Sequence, residues 1–477
     1  MPLNRLLFTA LLILFFIAPL PLGSNRDWAM LALSGLCLLL MAIYLTGYLL
    51  QDRQRPNKTG KLRIDPAAYL ILAAAAWMLI QGSLKIPLDL LHTLSPATAT
   101  LYASAFEIPK FGDSPTTATL SLNAAQSVNR GLFTLACFCS ITLLRQLITT
   151  RKRLTIFCYT LVISGVFQAI YGVMMTLTGV EYLFLTPKTS YIGNATGTFV
   201  NRNHLAGYLE MTLSVGVGLL LSSRKQSSTN QLNWRSAIRL ITQTLLSQIA
   251  ILRGLLIIMV VGLLMTHSRM GNAGFFNALL ITGGIALATS KQFRRPGFYA
   301  ILISIVLIDI ALLGSLFDLE KVVDRLEGTG LNHEKRDEVV KYALTMLPDY
   351  WLFGSGAGTF AYVFPQYAKE YLGGFYDFAH NDYLQILLEL GLIGSLPLVS
   401  YVVIAIWRSW NMIRSERSTT AAGIGFACIM AAICLIIHSS VDFNLQIPAN
   451  IMTFVAILAL PSVMANINEH SKRNRPS

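Results

Sequence analysis

Residues 28–50 read WAMLALSGLCLLLMAIYLTGYLL, with no charged side chain. As a helix rising ~1.5 Å per residue, this stretch is long enough to cross a hydrocarbon core of roughly 30 Å. A water-soluble core needs no unbroken apolar run of that length. Similar runs recur along the chain, and we read twelve spans, at 6–21, 28–50, 67–84, 127–147, 154–177, 204–222, 249–267, 272–289, 298–316, 384–407, 422–438 and 450–465. The first is expected to be a retained span. Pro19, Leu20, Pro21 and Leu22 stand where a cleavage site would need small residues, and a second span follows at once.

Composition leads to the same class. Of 477 residues, 54% are hydrophobic and 13% charged, and mean hydropathy is +0.56; soluble domains carry roughly 25% charged residues. The chain reads as an all-α polytopic membrane protein, one integral domain over residues 1–477. Its net charge of +13 is a topology signal, because positive loops stay in the cytoplasm. With the N-terminus inside, the inner turns carry Arg53, Arg55, Lys58, Lys61 and Arg63; Arg151, Lys152 and Arg153; Arg224, Lys225, Arg235 and Arg239; Lys291, Arg294 and Arg295; and Arg408, Arg414 and Arg417. Residues 222–248 then lie inside and 317–382 outside. The bilayer accounts for the basic charge, and no nucleic-acid partner is needed. Cys37, Cys137, Cys139, Cys158, Cys428 and Cys434 all fall within spans, as buried thiols and not as disulfides or metal ligands.

The outer face is uneven, with medium segments at 86–126 and 179–203 and a long loop at 317–382. Loops beyond about 15 residues are usually functional or disordered. This one holds Trp351, Phe353, Phe360, Tyr362, Phe364, Tyr367, Tyr371, Phe375 and Tyr376, and disordered segments are poor in aromatics. Asn332 is expected to cap a helix from His333 to Leu347, with Val339, Val340, Ala343, Leu344 and Leu347 on one stripe. Arg336 in its first turn opposes the helix dipole. Either Glu334, Asp337 and Glu338 offset it, or it joins the helix N-terminus in an anion site.

The loop closes on Ala379-His380-Asn381-Asp382-Tyr383-Leu384-Gln385. Asp382 with Gln385 has the spacing of a capping box, which sets His380 at the membrane surface. There it is either a hydrogen-bonded structural residue or a general base suited to neutral pH. Arg269, within His267-Ser268-Arg269-Met270-Gly271, is read as the outer C-terminal end of the seventh span, where an arginine suits the dipole and can snorkel to headgroups. The turn to the next span is short, so the interface holds it rigidly, ready for a lipid headgroup.

A further cluster, Thr196-Gly197-Thr198-Phe199-Val200-Asn201-Arg202-Asn203-His204, opens the sixth span. Asn203 reads as its cap; Arg202 and His204 are either interfacial anchors or contacts for a glycan or acceptor. His438 and Asp442 are similar, weaker candidates. Ionisable residues within spans are costly to bury, which singles out Glu210, Asp309 and Glu389. Glu389 lies too far along its helix from His380 to orient the imidazole, and is expected to pair with a polar group between helices.

Together these residues resemble the O-antigen ligase and polymerase family of bacterial envelope glycosyltransferases. The resemblance rests on Ser268-Arg269-x-Gly271; on Arg336 followed by Tyr342, Ala343, Pro348 and Gly354-Ser-Gly-Ala-Gly-Thr-Phe360; and on His380-Asn381-x-Tyr383-Leu384-Gln385 running into Glu389-x-Gly391. It covers residues 195–400. It implies a GT-C-like fold in the bacterial inner membrane that transfers a glycan from undecaprenyl diphosphate to an acceptor hydroxyl, on lipid A core or a growing polysaccharide, at the periplasmic face. It also implies Arg269 and Arg336 on the donor diphosphate and His380 as the catalytic histidine, with Asn381 and Tyr383 of the same motif, like Arg202 and His204, as further glycan or acceptor contacts.

No metal or other cofactor is expected. The sequence contains no Asp-x-Asp to hold a divalent ion against a diphosphate, and Gly354, Gly356 and Gly358 follow no βαβ pattern, so they read as a tight turn and not a nucleotide loop. The rival class is a transporter or flippase of a lipid-linked glycan or small anion. Such proteins commonly show internal repeats and several mid-span charges, and the sequence offers neither.

Overall fold

The computed structural model describes residues 2–54, 62–106, 116–183, 186–223, 248–294, 336–372, 374–415 and 418–473. The helices in chain order are α1 (Pro2–Ile17), α2 (Asp27–Gln54), α3 (Ala68–Ser83), α4 (Leu88–Leu94), α5 (Pro96–Phe106), α6 (Ala124–Leu147), α7 (Arg151–Thr178) and α8 (Arg202–Ser222). They continue with α9 (Gln248–Met265), α10 (Arg269–Thr289), α11 (Arg336–Leu344), α12 (Leu347–Tyr350), α13 (Phe360–Val363), α14 (Asp382–Arg414), α15 (Thr419–His438) and α16 (Pro448–Arg473). Among the described residues nine helices are long and apolar enough to cross a membrane, namely α2, α6, α7, α8, α9, α10, α14, α15 and α16. The shorter apolar α1 and α3 occupy two more of the expected spans. The span expected at 298–316, with Asp309, lies outside the described residues, as do Asn332, His333 and most of the loop expected inside at 222–248. The protein is an all-α polytopic membrane protein. Two short antiparallel ribbons decorate one pole: β1 (Lys85–Pro87) with β2 (Thr117–Thr119), Ile86 opposite Ala118, and β3 (Tyr182–Leu183) with β4 (Thr186–Pro187).

α8 is the axis of the bundle, buried at every residue from Asn203 to Leu221. It can be enclosed so completely because small residues let helices close in, as membrane helices require in the absence of a hydrophobic driving force. Gly218 of α8 faces Gly423 of α15 so closely that a β-carbon on Gly218 would overlap the Gly423 carbonyl. All six cysteines are free and buried, as the sequence implied.

α14 is broken near its start. Gly391 takes φ 62° and ψ −175° inside the helix, which frees backbone groups that lipid cannot satisfy. The long loop satisfies them: Ser355 N donates to Leu388 O (2.9 Å), Gly356 N to Glu389 O (2.9 Å), and Leu392 N to Trp351 O (2.7 Å). α3 supplies the rest, with Gln81 Nε2 on Glu389 O (3.0 Å) and Trp77 Nε1 on Leu390 O (2.8 Å). At the far end of α14, Arg408 forks onto Asp65 with bonds of 2.6 and 2.9 Å. Burial works against ionisation of Asp65, but the Arg408 guanidinium holds its carboxyl below the usual carboxylate range.

Candidate functional site

The described part of the long loop has its own core. Val339, Ala343, Met346, Tyr350, Phe360, Val363, Phe364, Leu372 and Ala379 pack with Leu384 and Leu388 of α14. Tyr350, Phe360 and Phe364 are the aromatics of this core, whereas Trp351, Tyr362, Tyr371 and Phe375 are exposed; Leu344, placed on the buried stripe by its spacing, is about half exposed and Met346 fills the core instead. The glycine stretch is where loop meets membrane helix. Gly354 at φ 75° lies against the Gly391 turn, and any β-carbon there would overlap the Glu389 carbonyl. Gly354 to Gly358 are thus a seat for the broken α14. Glu389 completes it, accepting from Gly358 N (2.8 Å), Phe360 N (3.2 Å) and Gln385 Nε2 (3.0 Å) and facing Arg130 of α6.

The chain between α15 and α16, residues 439–447, is the hub of the candidate site. Asp382 N donates to Ser439 O (2.9 Å), and Asn381 Nδ2 donates to Ser440 O (3.0 Å). Arg336 Nη1 reaches Val441 O (3.4 Å) and stands 3.8 Å from an Asp442 carboxylate oxygen. The Phe443 ring is met edge-on by His204 (centroids 4.6 Å apart) and by His380 (5.0 Å), and is stacked by Phe378 (4.3 Å). Asp382 accepts from Leu445 N (2.8 Å). Segments from α8, α11, the loop end and the start of α14 thus converge on one short turn.

Capping differs from the sequence expectation at both helix starts. Asn201, not Asn203, caps α8, accepting from Asn203 N (2.9 Å), which leaves the Asn203 amide to donate to Asp442. Asn381, not Asp382, caps α14 by accepting from Leu384 N (3.0 Å), while Gln385 accepts from Ala379 N (3.0 Å). In each case a run of polar residues offers several caps, and the tertiary partner of the loser decides. Tyr383 is turned to α15, donating to Ile436 O (2.6 Å).

Arg269 is also placed differently. α9 ends at Met265, and Ser268 caps α10 by accepting from Gly271 N (3.2 Å), so Arg269 is the exposed first residue of α10. At a helix N-terminus its charge opposes the dipole, whereas an anion there gains from both. Beside it, Asn194 Oδ1 accepts from Arg202 Nη1 (2.9 Å) and lies 3.1 Å from His267 Nδ1. Arg202 also covers the Tyr191 ring at 5.7 Å. Asn194 is held in turn by the segment 181–194, where buried Lys188 pairs with Glu181 and donates to the Asn194 carbonyl (2.7 Å).

Two neighbouring groups result. One gathers Arg336, His380, Asn381, Asn203 and His204 around Asp442 and Phe443; the other gathers Arg202 and His267 around Asn194, next to Arg269. α8 joins them through its consecutive residues Arg202, Asn203 and His204. Burial works against ionisation of Asp442, but the surrounding His204, His438 and Arg336 hold its carboxyl below the usual range. His380 at φ 53°, His267 at 51° and Tyr191 at 57° all adopt left-handed backbone, a conformation that costs energy in a non-glycine residue and persists where surroundings impose it. Phe443, Phe378 and Asn194 carry no sequence signal, since their roles come only from contacts between distant segments.

Residues 254–399 match a protein-family model described as O-antigen ligase. The match supports the O-antigen ligase and polymerase family, to which the sequence motifs pointed; it contains Arg269, Arg336 and His380 and leaves Arg202, His204, Asp442 and Phe443 outside. No curated protein matches the chain.

Proposed function

We propose that the protein is an inner-membrane glycosyltransferase of the O-antigen ligase or polymerase type, working at the periplasmic face on a glycan linked to undecaprenyl diphosphate. The observation that carries this reading is the meeting of Arg336 and His380, 44 residues apart in sequence, on the turn at Val441 to Phe443. A cation next to an imidazole, with a second arginine at the nearby α10 N-terminus, suits a reaction in which a hydroxyl loses a proton while a diphosphate leaves.

In that reaction the acceptor hydroxyl oxygen bonds to the anomeric carbon as the carbon–oxygen bond to the diphosphate breaks, its electron pair staying on the diphosphate. His380 takes the hydroxyl proton. Arg336 and Arg269 meet the charge that grows on the leaving group, a role that forked guanidinium donors fill without a divalent ion. On this reading Asn381, Tyr383, Arg202 and His204 are further contacts for the glycan or acceptor. The acceptor is a hydroxyl of lipid A core or of the growing polysaccharide.

Purified protein in proteoliposomes, given a polyprenyl-diphosphate-linked glycan and a hydroxyl acceptor, should form the glycoside, and in EDTA as well. Movement of the lipid-linked glycan between leaflets without glycoside formation would instead make the protein a transporter.

A further inference from the structure

The pole opposite the candidate site holds a cavity of about 380 Å³, where the ends of α6, α14 and α16 meet the chain just before α3. Its charged wall is made by Arg145, Arg408, Asp65 and Glu469. Both carboxylates already have an arginine. Arg408 is forked onto Asp65 by bonds of 2.6 and 2.9 Å, and Arg63 stands 3.6 Å from Glu469. Arg145 is the third guanidinium, and among the described residues no carboxylate pairs with it. It reaches from α6 to α16, donating to the Ser462 carbonyl (3.1 Å) and to the Ser462 hydroxyl, while its Nε has no acceptor among the described residues. The dipole of its own helix would account for a cation near the end of α6, but the bonds of Arg145 go to a neighbouring helix. The cavity is therefore a place where fixed positive charge exceeds negative.

Two indoles mark its depth. Trp407 and Trp410, on the turns of α14 that carry Arg408 and Asn411, are 62% and 46% exposed, and α14 is long and apolar enough to cross a membrane. Exposed tryptophans near the end of a spanning helix sit at the level of the lipid headgroups. Arg145 and Arg408 then lie at the depth of lipid phosphates, and basic pockets between membrane helices take anionic headgroups there. Asn411, Ser415 and Ser462 add neutral hydrogen-bonding groups to the wall, and Met412, Pro461 and Ala465 give it an apolar side. That combination matches a phosphate diester with the glycerol and first acyl carbons behind it. A guanidinium held on one edge by protein presents its remaining donors in a fixed plane, so little freedom is lost when a phosphate oxygen arrives.

We infer that this cavity binds the phosphate of one anionic phospholipid, with Arg145 as the cation that selects it. The inference is independent of the proposed function, since no residue of the cavity belongs to the candidate site. A headgroup seated there touches α6, α14 and α16 together, so it stabilises the folded chain as its occupancy rises.

The test uses the full chain in detergent, with dioleoyl phosphatidylglycerol, dioleoyl phosphatidylcholine and inorganic phosphate as probes. Native mass spectrometry should find one phosphatidylglycerol retained where phosphatidylcholine is lost, and the melting temperature should rise with phosphatidylglycerol and not with the other two. In Arg145→Gln the affinity for phosphatidylglycerol should fall about tenfold or more, the weight of one charge-assisted contact. Ala465→Glu, at an exposed position on the cavity wall, should have the same effect by setting a further carboxylate in the cavity. It removes no buried group, and so it decides the question alone if Arg145→Gln does not fold. Equal retention of the two lipids, or undiminished phosphatidylglycerol binding by folded Ala465→Glu, would overturn the inference. Displacement of the lipid by inorganic phosphate would do so as well, by assigning the cavity to a free anion.

Discussion

The imidazole of His380 meets the ring of Phe443 edge-on, with centroids 5.0 Å apart, and this contact joins the end of the long loop to the turn between α15 and α16. His204 touches the same ring, and Phe378 stacks on it, so one phenyl group sets the attitude of both imidazoles. Replacing it with alanine would cost about 3–5 kcal/mol of stability and confuse the outcome. Phe443→Leu keeps most of the volume and loses the flat face. It is expected to lower the transfer rate roughly ten- to hundredfold, the scale of a misplacement near 1 Å, with donor affinity little changed. A folded variant with wild-type turnover would remove Phe443 from the site.

Lysine in place of either arginine separates charge from geometry. Arg336→Lys and Arg269→Lys keep a cation but lose the forked donors that match a diphosphate. Transfer should fall sharply, by roughly a hundredfold, the share typical of a lost transition-state donor. Near-normal rates in both variants would show that charge alone suffices, and the forked arrangement would be discarded.

At the opposite pole, Asp65 and Arg408 make a pH-dependent contribution to stability whose sign is fixed. The Asp65 carboxyl is held below its usual range in the folded protein, so its contribution is fully present above the unfolded value of about 3.9 and fades as pH falls through the folded value. Asp65→Asn should cost roughly 1–3 kcal/mol at neutral pH, tempered because the Arg408 side chain is 28% exposed. Melting temperatures of the two proteins should converge below about pH 4. A gap that stays constant from pH 7 to pH 3 would mean that lost packing, not charge, is responsible.

The sequence revealed much of the fold because apolar runs such as residues 28–50 leave little choice of structure, and the motif residues Arg269, Arg336 and His380 were legible as letters. Their relation was not. Arg336 meets Asp442 across 105 residues of intervening chain, and no local pattern encodes that approach. The caps were misassigned where Asn201, Arg202 and Asn203 or Asn381 and Asp382 stand side by side, since only the partner of the unused residue discriminates. Arg269 changed from the end of one helix to the start of the next by a shift of three residues, which reverses the sign of its interaction with the dipole. Glu389 was expected to find a polar partner between helices; its hydrogen bonds come instead from Gln385 of its own helix and from the backbone of Gly358 and Phe360, with Arg130 of α6 facing it.

Orientation rests on the positive charge of the inner turns and can be tested directly. The six native cysteines are buried, so single reporters stand out. In intact cells, a membrane-impermeant thiol reagent should label Glu370→Cys in the long loop and leave Ser415→Cys, after α14, unlabelled. The reverse pattern would turn the candidate site toward the cytoplasm.

The most direct test of the central claim is His380→Ala, assayed in parallel for melting temperature, donor affinity and transfer. If His380 takes the acceptor proton, the variant should melt near the wild-type temperature, bind the lipid-linked donor with similar affinity, and lose roughly two to four orders of magnitude in rate. Near-normal transfer by the folded variant would contradict the account, as would a loss of rate that follows entirely from a loss of folded protein.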